Sequence, residues 1–146
     1  MILAIDPGTT HSGVVLFDGE NPVTSGIQEN HDVLAIIADH RGPVAIEMIA
    51  SYGMAVGAEV FETCVWIGRM AQVAGMGRVR LVFRREVKQH ICNSTKAKDA
   101  NVRQALIDRW GGKAKAIGTS KQRGPLYGIK SHAWPALGVA VTAHET

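Results

Sequence analysis

The chain has 146 residues, of which 46% are hydrophobic and 20% charged, and its formal net charge is +3. This length suits one domain with a sizeable core, and no apolar run reaches the roughly eighteen residues that span a membrane. The first apolar segment lacks the features of a secretory signal, and the two cysteines form neither a CxxC pair nor a zinc-ligand pattern. We therefore expect a single cytoplasmic domain, residues 1–146, with no membrane partner.

Acidic and basic residues are separated along the chain. Residues 1–77 carry nine acidic and two basic side chains, whereas residues 78–130 carry fourteen Lys or Arg against three acids. This separation indicates a basic surface for a polyanion, and nucleic acid is the first candidate. A solvated basic face without a ligand is the alternative.

Apolar patterning predicts an α/β fold. Residues 2–6 and 44–48 are continuous apolar runs, which are typical of central strands covered on both faces. Asn30 is placed to cap a first helix that Gly42-Pro43 ends. Residues 111–130, rich in glycine and basic side chains, predict a mobile loop. The other predicted elements are strands at 13–17, 23–27 and 78–83 and helices at about 54–76, 85–92, 98–110 and 132–142.

Two predicted strands end on carboxylates, Asp6 and Glu47. If the strands are neighbours, carboxylates about 4 Å apart repel each other by roughly 4 kcal/mol at an effective dielectric constant of about 20. A bound cation removes this repulsion. Oxygen ligands favour magnesium or manganese, ions that polarise a phosphodiester and activate water.

Five segments together resemble one nuclease family. They are Ile5-Asp6-Pro-Gly-Thr, Ala45-Ile-Glu47, Gly68-Arg69, Lys96-Ala-Lys-Asp-Ala-Asn-Val102 and His132-Ala-Trp-Pro-Ala-Leu-Gly-Val-Ala140. In this order they resemble RuvC-type Holliday-junction resolvases, and the small size suggests the phage-borne branch. The resemblance implies a ribonuclease H-like five-stranded mixed sheet with helices on both faces, a homodimer, and magnesium-dependent nicking of four-way DNA.

By position, Asp6 and Glu47 match the first two metal-binding acids of that family. The last helix of the family carries two further ligands, and here those positions are His132 and Pro135, so that one carboxylate is missing. We expect His132 to act as a metal ligand. An imidazole ligand should make the site favour manganese more than a purely oxygen-lined site would. Asp99 is the alternative third acid, although a helix start also explains it. Two metal ions about 3.5 to 4 Å apart are expected.

The resemblance also assigns DNA contacts. Lys96, Lys98 and Arg103 match the basic cluster beside the cut, and Lys98 is expected to stabilise charge in the transition state. Tyr52 lies near the position of an aromatic that stacks at the junction centre. Less specific phosphate contacts are expected from the basic residues of the predicted loop: Lys113, Lys115, Lys121, Arg123 and Lys130.

Two other functions stay open on the sequence. The segment Asp6-Pro-Gly-Thr-Thr-His-Ser12 also resembles the first phosphate motif of sugar kinases and actin, although the chain is too short for their two large domains. A non-catalytic junction-binding module is the second alternative, because the fourth acid is missing.

Overall fold

A computed structural model describes all 146 residues. Five strands form one sheet in the order β3-β2-β1-β4-β5, in which β1 to β3 are antiparallel and β4 and β5 run parallel to β1. The strands are β1 Ile2–Asp6, β2 His11–Phe17, β3 Pro22–Glu29, β4 Val44–Met48 and β5 Val79–Phe83. The helices are α1 Asn30–Asp39, α2 Ala58–Ala74, α3 Arg84–Cys92, α4 Asp99–Arg109, α5 Lys113–Ala116 and α6 Ala133–Glu145.

Helices cover both faces of the sheet, as the sequence predicts. Leu3, Ile5 and Ile46 face a core shared with α1 and α2. Ala4 and Ala45 face the larger core formed with α3, α4 and α6. Because side chains alternate along a strand, Asp6 and Glu47, two residues beyond these alanines, point to the face that α6 covers.

A glycine lets the beginning of α6 approach the sheet closely. Gly13 of β2 pairs with Asp6 of β1, and a Cβ atom built on Gly13 would collide with the carbonyl oxygen of His132 and the amide nitrogen of Ala133. The missing side chain therefore leaves room for the backbone of residues 132–133 directly beside the end of β1.

The prediction that Asn30 caps α1 through its side chain was wrong. Asn30 is buried within the first turn, and its amide donates a hydrogen bond of 2.9 Å to the carbonyl oxygen of Gly8. Its Oδ1 accepts a hydrogen bond of 2.6 Å from the hydroxyl of Ser12. Asn30 thus braces the β1–β2 turn that follows Asp6, because the buried polar groups of that turn need partners.

The expected mobile loop at residues 111–130 is instead a packed segment, so that prediction was wrong. It contains α5, an isolated bridge between Gly118 and Arg123, and the buried side chains of Ala116, Leu126 and Ile129. Single apolar residues without regular spacing anchor it, and such residues leave no periodic signal in a sequence.

Among the helices of the fold, none combines the length and the apolarity needed to cross a bilayer.

Candidate active site in a basic cleft

Asp6 and Glu47 meet at one edge of the sheet. The parallel register pairs Ile5 with Ile46, so the next residue of each strand is one of the two acids. Both residues are buried, at 4% and 6% exposure, and both line a cleft of about 510 Å³. Burial, and then the hydrogen bond and charge of Glu47, raise the pKa of Asp6 to about 9. The cleft therefore contains a buried acidic pair, and a bound cation would compensate its negative charge.

His132 reaches the same acidic pair from the other layer. It precedes α6, and its Nδ1 lies 3.0 Å from Oδ2 of Asp6, while most of the ring remains exposed. Pro135 is the third residue of α6, within the first turn where proline is tolerated, and it contributes no carboxylate. The structure thus brings together Asp6, Glu47 and His132.

Arg84, which sequence reasoning missed, is the direct partner of Glu47. Its Nε donates a hydrogen bond of 2.9 Å to Oε1, and its Nη2 lies 3.5 Å from Oε2. Its Nη1 is 3.8 Å from the exposed carboxylate of Asp99. The hydrogen bond to Glu47 raises the pKa of Arg84 further above its ordinary value. Arg84 is the first residue of α3 and directly follows β5, which pairs with β4. Because β4 carries Glu47, this pairing brings the Arg84 side chain within hydrogen-bonding distance of Glu47.

The donor atoms suit a divalent ion only in part. Carboxylate oxygens and an imidazole nitrogen are ligands for magnesium or manganese, and magnesium commonly keeps several waters. However, no group of three or more His, Cys, Asp or Glu side chains is arranged to hold a metal. Asp6 contacts both His132 and Glu47, and Glu47 is also engaged by Arg84.

Basic side chains line the walls beyond the acids. Arg85 and Lys88 join Arg84 in the first cleft. A neighbouring cavity of about 320 Å³ is lined by Lys88, Arg103, Asp99 and His132. The guanidinium of Arg103 lies 5.0 Å from the centre of the Trp134 ring, which holds it over the beginning of α6. A polyanion that enters here meets cations before it reaches the acids.

Tyr52 stands at the mouth of the first cleft. Its side chain is 57% exposed, and its φ of 49° is left-handed, followed by Gly53 with a φ of 82°. The guanidinium of Arg85 lies 5.7 Å from the centre of the Tyr52 ring. The turn therefore presents a ring and a cation together.

The other predicted DNA contacts lie outside these two cavities. Lys96 and Lys98 are exposed before α4 and do not line either cavity, whereas Lys88 lines both. The basic residues of α5 and the following segment are also exposed: Lys113, Lys115, Lys121, Arg123 and Lys130. None of them lines either cavity, and these assignments stay predictions.

Comparison with solved structures supports the fold. No protein-family model and no curated protein matches the chain. A structure of Thermus thermophilus RuvC superposes with a TM-score of 0.67 at 21% identity, covering 98% of this chain and 93% of that one. T. thermophilus RuvC in complex with a Holliday junction substrate superposes with a TM-score of 0.64 at 19% identity, covering 97% and 90%.

The fold class is therefore confirmed as α/β and ribonuclease H-like. Within that class, the five-stranded mixed sheet with helices on both faces is RuvC-like. At this level of identity the likeness concerns the fold, and function rests on the site.

Proposed function

We propose that this chain is a structure-selective endonuclease that uses a divalent metal ion to nick branched DNA, with the four-way junction as its first substrate. The observation that carries the proposal is the buried pair Asp6 and Glu47 at the bottom of a cleft lined by Arg85 and Lys88. Acids at the base suit a metal, and cations along the wall suit phosphates. The fold shared with a RuvC bound to a Holliday junction supports branched DNA as the ligand.

In this proposal Asp6, Glu47 and His132 face the divalent ion. Magnesium or manganese held there would polarise the phosphodiester and lower the pKa of a water. Lys88 and Arg103 bind phosphate oxygens from the cavity walls and stabilise the negative charge that develops on them. These two residues are better placed for that role than Lys98, which stays a candidate from the resemblance alone.

Further contacts in the proposal hold the branched substrate. Tyr52 offers its exposed ring to an unpaired base, a stacking contact worth about 1 to 3 kcal/mol. Lys96 and the basic residues between positions 113 and 130 bind phosphates of the DNA arms without reading sequence.

We also propose a homodimer formed through α2. Phe61 and Val65 are one helical turn apart on the same face and are 64% and 63% exposed. Apolar side chains exposed together in this way mark an interface, and a second copy related by a two-fold axis presents the same face. Two copies would supply two cleavage sites for two DNA strands.

Size-exclusion chromatography with light scattering tests this dimer. Val65→Glu is expected to yield monomers, whereas Val23→Glu, the same change at an exposed valine of β3, leaves the dimer intact. A monomeric wild-type chain contradicts the proposed assembly.

A cytoplasmic location and a phage origin stay part of the proposal. The thiols of Cys64 and Cys92 are both free, which supports a reducing compartment. The phage origin rests only on the small size of the chain.

A non-catalytic junction-binding module is the second candidate. Two observations favour it: Pro135 supplies no carboxylate, and Glu47 already has a cationic partner in Arg84. Such a module would bind four-way DNA through the same basic walls without cutting it.

A titration of nicking against magnesium and manganese separates the two candidates. End-labelled four-way junction, flap and linear duplex of the same sequence are incubated side by side with the wild-type chain. The nuclease proposal expects metal-dependent nicks in the junction and far fewer in the linear duplex. Junction binding without nicks at any metal concentration contradicts it and supports the binding module. Equal nicking of all three DNAs contradicts the structural selectivity.

A further inference from the structure

A further cavity, the α3 cavity, adjoins the cleft that contains the acids. Its volume is about 810 Å³, which is within the range of sites that bind small molecules. Ala50, Tyr52, Arg85 and Thr95 line both the α3 cavity and the cleft. A DNA strand with one phosphate at the acids therefore has the α3 cavity directly beside it.

Helix α3 presents different side chains to the two spaces. Arg84 and Lys88, one helical turn apart, line the cleft, whereas Gln89 and Asn93, also one turn apart, line the α3 cavity. A phosphate is bound best by cations, but the edge of a base carries uncharged hydrogen-bond donors and acceptors. The helix thus offers cations to the backbone of a strand and amides to a base.

The amide side chains of Gln89 and Asn93 are free to bind a ligand. The two residues are bonded to each other only through their backbones, where the N–H of Asn93 donates to the carbonyl oxygen of Gln89 at 3.0 Å. Other polar side chains of the same cavity already have partners. Glu86 accepts a hydrogen bond of 2.8 Å from the backbone N–H of Phe83, and Nε2 of His90 lies 2.7 Å from Oε1 of Glu145.

Two aromatic rings complete the α3 cavity. Tyr52 and Phe83 both line it, and their side chains are 57% and 38% exposed. An exposed ring is a surface on which the flat face of an unpaired base stacks. The cavity therefore combines rings for the face of a base with free amides for its edge.

We propose that the α3 cavity binds an unpaired adenine of the DNA strand whose phosphate lies at the acids. The base stacks on Tyr52, and the amides of Gln89 and Asn93 bind its edge. A carboxamide matches adenine because its NH₂ group donates to N7 while its oxygen accepts from the N6 amine. This inference rests on the proposed function and specifies which nucleotide of a branched substrate the chain selects.

The test removes the N6 amine of one adenine at a time. Fluorescein-labelled four-way junctions carry adenines around the branch point, and in each junction one of them is replaced by purine, which keeps the ring that stacks. Affinity is measured by fluorescence anisotropy in EDTA. For the wild-type chain we expect one position at which purine weakens binding by about 10-fold, because the edge contact is lost.

The double variant Gln89→Ala/Asn93→Gly shows whether the two amides make this contact. Asn93 has a left-handed φ of 56°, which glycine adopts without strain, so the variant removes both amides and preserves the end of α3. We expect it to bind the adenine and purine junctions equally well. Purine also weakens pairing in the DNA, but this effect is the same for every chain and cancels in the comparison.

Gln104→Ala is the matched control. Gln104 is an exposed glutamine of α4 that bonds to Asp108 and does not line the α3 cavity. It should keep the wild-type sensitivity to purine. Wild-type binding that is the same for adenine and purine at every position overturns the inference, and so does full sensitivity in a folded double variant. If the double variant does not fold, Gln89→Ala takes its place under the same criteria.

Nicking of the adenine junction in manganese is measured in parallel and tests the proposed function separately. Nicking without any sensitivity to purine refutes the adenine site and leaves the nuclease standing. Sensitivity to purine without nicking supports the adenine site and refutes the nuclease in favour of the binding module. A wild-type chain that does not bind the junction refutes both.

Discussion

Replacing Gly13 by alanine tests the close approach that brings His132 to Asp6. The new methyl group would collide with backbone atoms of His132 and Ala133, which cannot move without shifting α6. Overpacking of this kind destabilises by about 1 to 3 kcal/mol, while removal of a glycine from a strand recovers roughly 0.5 to 1 kcal/mol. We expect a net loss of about 1 to 2 kcal/mol, or a melting temperature lower by roughly 2 to 8 °C for a chain of this size.

The same change should cost more in the activation free energy of nicking than in the free energy of unfolding. A displacement of a reacting group by about 1 Å costs on the order of 100-fold in rate, so nicking of a four-way junction by Gly13→Ala is expected to fall by about that factor. Thermal denaturation followed by circular dichroism and a nicking assay below the melting transition measure the two effects.

Gly26→Ala is the matched control for this prediction. Gly26 lies in β3 of the same sheet, and a Cβ atom there meets only the flexible amide of Gln28 at 3.4 Å. This variant is expected to melt at or slightly above the wild-type temperature and to nick normally. A Gly13→Ala chain that behaves like it would refute the proposed packing of α6 against β2.

Three further predictions concern the acid, the histidine and the basic segment. Because the pKa of Asp6 is about 9 in the folded chain and near 4 in the unfolded chain, the folded state holds a proton between these pH values that the unfolded state has lost. Without metal, the stability of the fold should therefore fall as pH rises from about 4 to about 9. Asp6→Asn should flatten this pH dependence in thermal melts with EDTA. His132→Ala is expected to change the dependence of nicking on manganese concentration more than its dependence on magnesium concentration. Titration curves identical to those of the wild-type chain would show that His132 is not a metal ligand. Replacing Lys113 and Lys121 by glutamine should reduce the slope of log affinity against log salt by about 1.8 on duplex DNA, and an unchanged slope would show that neither contacts phosphate.

The acidic pair could be predicted because it depends on strand order alone. Continuous apolar runs indicated that the strands ending on Asp6 and Glu47 are central, and the ends of neighbouring parallel strands meet at one sheet edge. The proline at position 135 likewise fixed its place in the first turn of the last helix, which puts His132 at the beginning of that helix.

Arg84 and Asn30 could not be predicted because their partners are distant in the sequence. Arg84 follows a strand within a basic stretch, where an arginine is ordinarily a solvated surface residue, and only the β4–β5 pairing brings it to Glu47. Asn30 stands at a helix start, where asparagine commonly caps, yet Ser12 and Gly8 take its side chain instead. Tertiary hydrogen bonding outweighed the local preference in both places.

The central claim is that the carboxylates of Asp6 and Glu47 are needed for metal-dependent cleavage of DNA and are not needed for binding the DNA. Asp6→Asn and Glu47→Gln each remove one negative charge with almost no change in side-chain size, so one comparison tests the claim directly. Each variant and the wild-type chain are assayed on the same four-way junction, for binding by gel shift in EDTA and for nicking in manganese. The account predicts wild-type binding and lost nicking in both variants. Nicking at the wild-type rate by either variant would contradict it.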